Sequence, residues 1–233
     1  KVLEENCFDW QDCVKKYLPQ KRQGKFCFGF SSYGFESREI KEMAMHIKKE
    51  LKNRGISSRW TTSREKNLSS VAVKQNKLLE KGAEFIALEK GGKQMLAATE
   101  AIQDFEALSR RDYGRPARDS RSGMIPPKLA QMMINIASGG NKEQTLLDPF
   151  CGSGTILMEA YLLNFGKIIG SDKSGKAIED SEENIKWLED NFKLPEEKEI
   201  ELIKSDAGRL SGFIEEKSVD AIVTEPYLGP QRS

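Results

Sequence analysis

Three aspartates and a short glycine loop are the residues of this sequence best suited to chemistry. Asp148 opens the stretch Asp148-Pro149-Phe150-Cys151-Gly152-Ser153-Gly154-Thr155. An apolar run, Leu146-Leu147, ends in the acid, turns through the glycines and continues into Ile156-Leu157. Gly152 and Gly154 permit positive φ and leave bare backbone on which a ligand can lie. Ser153 or Thr155 can cap the helix that follows, whose first N–H groups face the loop. The loop has no Gly-Lys-Ser/Thr, which argues against a nucleoside triphosphate site. An acid ahead of the glycines suits a cationic group better than a pyrophosphate. Asp172 follows 24 residues later, close to the spacing at which an acid accepts from ribose hydroxyls. Asp206 closes a third apolar run, where a carboxylate can accept from an amino group, and Ala207 beside it offers a backbone N–H.

A fourth apolar run, Val219–Thr224, leads into Thr224-Glu225-Pro226-Tyr227. These four residues resemble a motif whose target is an exocyclic amine, and such an amine, conjugated to its ring, is a poor nucleophile. Two acceptors can localise its lone pair, and an aromatic ring can stack on the base and fix its direction. That chemistry needs no covalent nucleophile, so Cys151 reads as loop packing and not as a catalytic thiol.

Residues this far apart in sequence can meet only if the chain lines them up at one edge. From Leu146 onward, strand-like runs alternate with helical periodicity, the signature of βαβ units and a parallel sheet. The runs end at Asp148, Asp172, Asp206 and Thr224, and ligands of open α/β sheets bind at the carboxyl ends of strands. The helix after Asp172 carries Ile178, Ile185, Leu188 and Phe192 on one face. Ahead of the loop, Pro126-Pro127 start a helix whose apolar face is read as Leu129, Met132, Met133 and Ile136, with Gly139-Gly140 ending it.

The front of the chain has a different pattern. Residues 1–24 are polar with scattered aromatics. A strand at 25–30, a turn at 31–34 and an amphipathic helix at 37–53 follow. Then come a strand at 56–62, a short helix at 75–81 stopped by Gly82, a strand at 83–88, a turn at Gly91-Gly92 and a return strand at 93–99. This describes a small α+β domain over 1–103. Residues 104–125 read as an Arg-rich linker. Arg110, Arg111, Arg115, Arg118 and Arg121 could grip phosphate, or Arg–Asp pairs could hold the two halves together. The expected domains are therefore 1–103, the linker 104–125, and 126–233.

Composition sets the outer limits. The 233 residues carry 37 Lys and Arg against 36 Asp and Glu, a net charge of +1. Residues 1–140 hold 26 basic and 17 acidic side chains, and residues 141–233 hold 11 and 19. A basic front and an acidic back suggest two tasks, with a polyanionic partner on the front. No apolar run approaches the length of a membrane span. The four cysteines and single histidine offer no zinc spacing and no disulfide framework, and a reducing cytoplasm is the simplest reading. Residue 1 is Lys and the chain stops at Ser233, soon after a strand-like run, so a fragment is expected.

Asp148–Thr155 resembles the first motif of S-adenosylmethionine (AdoMet) dependent methyltransferases, above all those acting on amino groups of nucleic acids. Thr224–Tyr227 resembles their [DNS]-P-P-[YFW] motif, with Thr224 in place of the usual Asp, Asn or Ser and Glu225 in place of the first Pro. Arg115-Pro116, Arg118-Asp119 and Ser122–Ala130 stand ahead of these motifs in the order seen in THUMP-associated RNA methylases. Over residues 110–230 the chain is similar to the tRNA guanosine-10 N2-methyltransferases of that family. The resemblance implies an α/β fold. A Rossmann-like class I methyltransferase sheet, here truncated after its fourth strand, would follow a small α+β THUMP-like domain that binds RNA. It implies AdoMet as cofactor, tRNA as partner through the basic front and the Arg110–Arg121 segment, and no metal. Pro126, Asp148, Phe150, Gly152, Gly154, Thr155, Asp172, Asp206 and Ala207 would hold the cofactor. Thr224, Glu225, Pro226 and Tyr227 would hold the target amine, guanine N2 first. Adenine N6 or cytosine N4 methylation, or a non-catalytic RNA-binding module with this fold, are the alternatives.

Overall fold

The computed structural model describes residues 1–5, 7, 10–65, 67–119, 123–194, 198, 200–226 and 229. The chain divides into two compact units, Lys1–Gln103 and Asp104–Ser233.

The first unit is built on a five-stranded sheet in the order β1-β5-β4-β2-β3. Its strands are β1 (Val2–Glu5), β2 (Phe26–Tyr33), β3 (Ser58–Thr61), β4 (Gly82–Lys90) and β5 (Lys93–Ala98). Strand β2 runs parallel to β3 and β4, whereas β5 is antiparallel to β4 and to β1. The alternation Phe26, Phe28, Phe30 puts three rings on one face, where they meet helices α1 (Trp10–Tyr17) and α2 (Ser37–Asn53) in one core. Helix α2 supplies Ile40, Ala44, Ile47 and Leu51, the stripe expected from its periodicity. The opposite face buries Cys27 with Val73 of α3 (Ser70–Gln75) and Leu78 of α4 (Leu78–Lys81).

Several local expectations fail here. Residues 1–24 contain a strand and a helix where only polar chain was read. Strand β1 is a half-buried edge whose partner β5 lies some ninety residues away, so its alternation is weak. The expected turn at 31–34 is the end of β2, which continues to Tyr33 as it pairs with β4. The helix expected at 75–81 is two pieces, separated at Lys77, whose φ of 52° is left-handed. Cys7 and Cys13 are joined by a disulfide, although no pairing was expected. Their Cα atoms lie 6.3 Å apart, a juxtaposition that spacing alone does not reveal.

The second unit is a parallel sheet in the order β8-β7-β6-β9. It comprises β6 (Thr145–Asp148), β7 (Lys167–Asp172), β8 (Ile200–Lys204) and the two-residue β9 (Ala221–Ile222). Helices α6 (Pro127–Ser138), α7 (Thr155–Leu162) and α8 (Gly175–Asn191) complete it. Strand β6 pairs with both β7 and β9, so the strand carrying Asp148 is internal and β9 is an edge. Helix α7 is apolar nearly all round, and Ile156, Leu157, Met158, Ala160 and Tyr161 are buried. Such a helix belongs in the middle of a layer.

Two readings of this half need correction. Helix α6 buries Pro127, Ala130, Ile134 and Ser138. Leu129, Met132 and Ile136, expected in the core, are 44%, 52% and 79% exposed. Two stripes of similar hydropathy run along this helix, and periodicity could not rank them. Residues 104–125 are not a simple linker either. Phe105–Tyr113 form helix α5, capped by the Asp104 side chain. Arg111 donates from Nε and Nη2 to Glu159 at 2.6 and 3.1 Å, and Arg115 donates to the Thr155 hydroxyl. Both arginines are buried, so neither is available to phosphate. No helix among the described residues is long and apolar enough to cross a membrane.

Candidate active site

The carboxyl ends of β6, β7 and β8 open on a cavity of about 1110 Å³. Asp148, Asp172 and Asp206 all line it, together with the loop Pro149–Ser153 and, on another side, Met124, Ile125, Glu225 and Pro226. Asp148 and Asp172 end their strands and Asp206 follows the end of β8 by two residues, so the three acids face one space.

The glycine loop is held from both sides. The Phe150 N–H donates to Asp148 Oδ1 at 3.1 Å and the Gly152 N–H to Asp172 Oδ2 at 3.2 Å. The Cys151 N–H donates to the Ser171 carbonyl at 2.9 Å. From behind, Ser181 Oγ donates to the Gly152 carbonyl and Asn184 Nδ2 to the Ser153 carbonyl, each at 2.8 Å. The same Asn184 side chain exchanges hydrogen bonds with the Ala117 backbone N–H and carbonyl. The two glycines have different tasks. At Gly152, φ is 53° and an added Cβ would meet nothing within 4 Å, so its bare backbone faces open space. At Gly154, φ is 81° and an added Cβ would lie 2.9 Å from Ser181 Oγ. Gly154 is the N-cap of α7 and lets α8 come close; neither Ser153 nor Thr155 caps that helix.

The electrostatics centre on Asp148, which is 1% exposed. Burial pushes its carboxyl up to about 6, and nearby Asp172 pushes the same way. The Thr224 hydroxyl, which donates to Asp148 Oδ1 at 2.6 Å, and the Phe150 N–H pull it down. No ion pair described for this structure involves Asp148. A buried carboxylate supported only by neutral donors and facing a cavity is well matched to a cationic ligand. Cys151 is held as a neutral thiol: burial first, and then Asp148, push it up to about 12. It is no nucleophile. Asp172 accepts from the Ser174 N–H at 2.9 Å as well as from Gly152. Asp206 accepts from the Gly208 N–H at 2.9 Å and caps the short 3-10 turn Ala207–Gly212.

The residues singled out from sequence separate into three groups. Asp148, Phe150, Gly152, Thr155, Asp172, Asp206, Ala207, Glu225 and Pro226 line the cavity. The Thr155 hydroxyl also accepts from Arg115. Gly154, Pro126 and Thr224 are not in the wall. Pro126 instead caps α6 by position, and its neighbours Met124 and Ile125 reach the cavity. Thr224 stands one residue behind Glu225, hydrogen-bonded to Asp148. Tyr227 lies outside the described residues. Ser181 and Asn184 were missed, and Arg115, read as a phosphate contact or a partner of an Asp, instead donates to Thr155. Ser181 and Asn184 did leave a signal: they are fully buried polar residues among Ile178, Ile185 and Leu188 on α8, where apolar side chains would be expected.

Residues 115–230 match the model of the RMKL-like methyltransferase domain family. The matched residues lie within the second unit, Asp104–Ser233. The donor set fits the cofactor of such a domain: three carboxylates for cationic and hydroxyl groups, a bare glycine backbone, and the Phe150 ring at the wall. Two curated proteins are similar over this stretch. The tRNA (guanine(10)-N2)-dimethyltransferase of Methanothermobacter thermautotrophicus is 39% identical over 107 residues, 46% of this chain and 28% of its own length. The enzyme of the same name from Methanocaldococcus jannaschii is 36% identical over 115 residues, 46% of this chain and 29% of its own length. The match thus spans less than a third of either relative. A solved structure, TrmN from Thermus thermophilus, aligns with 98% of this chain and 60% of its own at 18% identity, with a TM-score of 0.48.

Proposed function

We propose that this chain is the cofactor-binding part of an AdoMet-dependent RNA methyltransferase that acts on an exocyclic amino group, guanine N2 of tRNA at position 10. The observation that carries the reading is the convergence of three strand-end carboxylates and the Gly152 backbone on a cavity that Glu225 and Pro226 also line. The names of the two relatives agree with it.

In this reading AdoMet supplies an electrophilic methyl on a sulfonium. Asp148 and the loop backbone hold its amino-acid end, with Met124 and Ile125 over it and Pro126 fixing their segment. Asp172 accepts from the ribose hydroxyls, Asp206 from the adenine amino group, and the Ala207 N–H donates to a ring nitrogen. Thr224, Glu225, Pro226 and Tyr227 hold the target base. Glu225 is exposed and provides a carboxylate acceptor at the position a proline takes in the related motif. The α+β unit with its basic residues is read as a THUMP-like RNA-binding domain, and the cytoplasm as the place of action.

The test is methyl transfer from isotopically labelled AdoMet to an unmodified tRNA transcript, followed by digestion to nucleosides. Label in N2-methylguanosine is the expected outcome. Label in N6-methyladenosine or N4-methylcytidine would reassign the target, and AdoMet binding with no methylated product would make the chain a binding module.

A further inference from the structure

Arg115 is a buried cation that no neighbouring acid neutralises. It is 2% exposed, and no ion pair among the described residues involves it. Glu159 is already held by Arg111 and Gln131. Burial lowers the pKa of the guanidinium, and Asp112 and Glu159 raise it only from beyond ion-pair distance. Its Nε–H has no hydrogen-bond partner. A fold that keeps such a charge from water needs a return for it. The other nitrogens show where it acts: Nη1 donates to the Thr155 hydroxyl and Nη2 to the Met124 sulfur. Both recipients line the cavity and Arg115 does not, so the guanidinium stands directly behind that part of the wall. A threonine hydroxyl has one proton and two lone pairs. Arg115 takes a lone pair, and no hydrogen bond among the described residues uses the proton.

We propose that Arg115 is a positioning residue for the carboxylate of an amino-acid-bearing ligand: it fixes and polarises the Thr155 hydroxyl so that its proton is donated into the cavity. The inference rests on the reading of the cavity as an AdoMet site and assigns a group that reading leaves open. The amino-acid end of AdoMet carries an ammonium and a carboxylate. Asp148, a carboxylate supported by neutral donors, suits the ammonium. Asp148, Asp172 and Asp206 would all repel the carboxylate, so a positive element must stand on another side. Arg115 supplies it through a hydroxyl, and a donor backed by a cation makes a stronger hydrogen bond than a neutral one. No proton changes hands, and the charge stays on the guanidinium.

The surroundings favour an anion at this place. Thr155 is the first residue of α7, and the N-cap, Gly154, offers no side chain to the first-turn N–H groups. That end of the helix is its positive end, and Ile156 in the same turn also lines the cavity. Arg118, Lys173 and Lys176 line the cavity too, but all three are exposed, and Lys176 is paired with Asp180. Charges already in water contribute little to holding a ligand. Arg115 is the buried cation of this wall, and its second hydrogen bond ties Met124 to the same anchor.

The test is calorimetric binding of two ligands, AdoMet and decarboxylated AdoMet, which keeps the nucleoside, sulfonium and ammonium and lacks only the carboxylate. The unaltered chain should prefer AdoMet by about tenfold, the scale of one charge-assisted hydrogen bond. Thr155→Val keeps the shape and removes the hydroxyl. It should lose about tenfold in affinity for AdoMet and stay within about twofold for the decarboxylated compound. Arg115→Met should show the same selective loss, and Thr155→Ser should keep the preference. The double variant should lose less than the product of the two single losses, because one residue acts through the other. Should Arg115→Met fail to fold, Thr155→Val decides. Equal affinity of the unaltered chain for the two ligands, a Thr155→Val that weakens both alike, or single losses that multiply would overturn the role of Arg115 alone. Binding of neither ligand by the unaltered chain would sink the AdoMet reading and the proposal with it.

Discussion

Two buried acids of the second unit, Glu159 and Asp148, have opposite surroundings. Glu159 sits in the middle of α7, 0% exposed, and receives Arg111 at 2.6 and 3.1 Å and Gln131 at 2.6 Å. Its charge is answered inside the protein. Asp148, at the end of the neighbouring strand, receives one hydroxyl and one backbone N–H and faces a cavity. Removing charge from water is costly, and a fold tolerates it only with a partner or a purpose. The first acid joins α5, α6 and α7. The second keeps an unmet demand for a cation at the place where a ligand would enter.

The sharpest way to break this contrast is at Glu159. Glu159→Ala leaves Arg111 charged and buried, and should cost about 3–5 kcal/mol in urea unfolding. Replacing both partners with apolar residues, Arg111→Met with Glu159→Leu, should cost less than either single change. A double variant as unstable as the sum of the singles would mean that the two side chains act independently and that neither compensates the other.

Asp148 should behave in the reverse way. Burial lifts its folded carboxyl to about 6 from the ordinary 3.8, so the fold prefers the protonated form. The stability this group contributes is fully present below about pH 3.8 and is lost as pH rises through about 6. Asp148→Asn should therefore stabilise the fold by about 1–3 kcal/mol at pH 7.5 while weakening AdoMet binding. Near pH 4 the stability difference should vanish. A less stable Asn variant at pH 7.5 would show that the ionised carboxylate is held by the fold and not strained by it.

The smallest effects separate the two loop glycines. Gly154→Ala combines a positive φ with a Cβ 2.9 Å from Ser181 Oγ, and should cost about 2 kcal/mol of stability. Gly152→Ala has room for its methyl, so only about 1 kcal/mol of backbone cost is expected, together with a larger loss of AdoMet affinity as the methyl enters the cavity. Equal affinity losses would remove the distinction between a packing glycine and a contact glycine.

How much of this could be read in advance differed between the units. In the second, helices and strands alternate and each strand is bounded by a polar residue, so Asp148, Asp172 and Asp206 marked the sheet edge correctly. In the first, β1 escaped notice because an edge strand buries little and its pairing with β5 is remote in sequence. Arg111 and Arg115 looked like surface cations, because composition does not distinguish a solvated arginine from one whose partner lies 48 or 40 residues away. Glu159 offered the missing clue: a single acid within Ile156-Leu157-Met158-Glu159-Ala160-Tyr161 demands a cation. The exposed stripe of α6 shows the limit of periodicity, since Leu129, Met132 and Ile136 looked as buriable as the residues that are buried.

The brace that Ser181 and Asn184 place behind the glycine loop affects how a ligand would arrive. A loop already tied by its carbonyls to a helix has little freedom left to surrender. Association would then forfeit little of its gain to ordering the protein, and encounter would be governed by access to the cavity, without a slow rearrangement. Loosening the brace, for example with Asn184→Ala, should slow capture of the cofactor before any contact to it is lost.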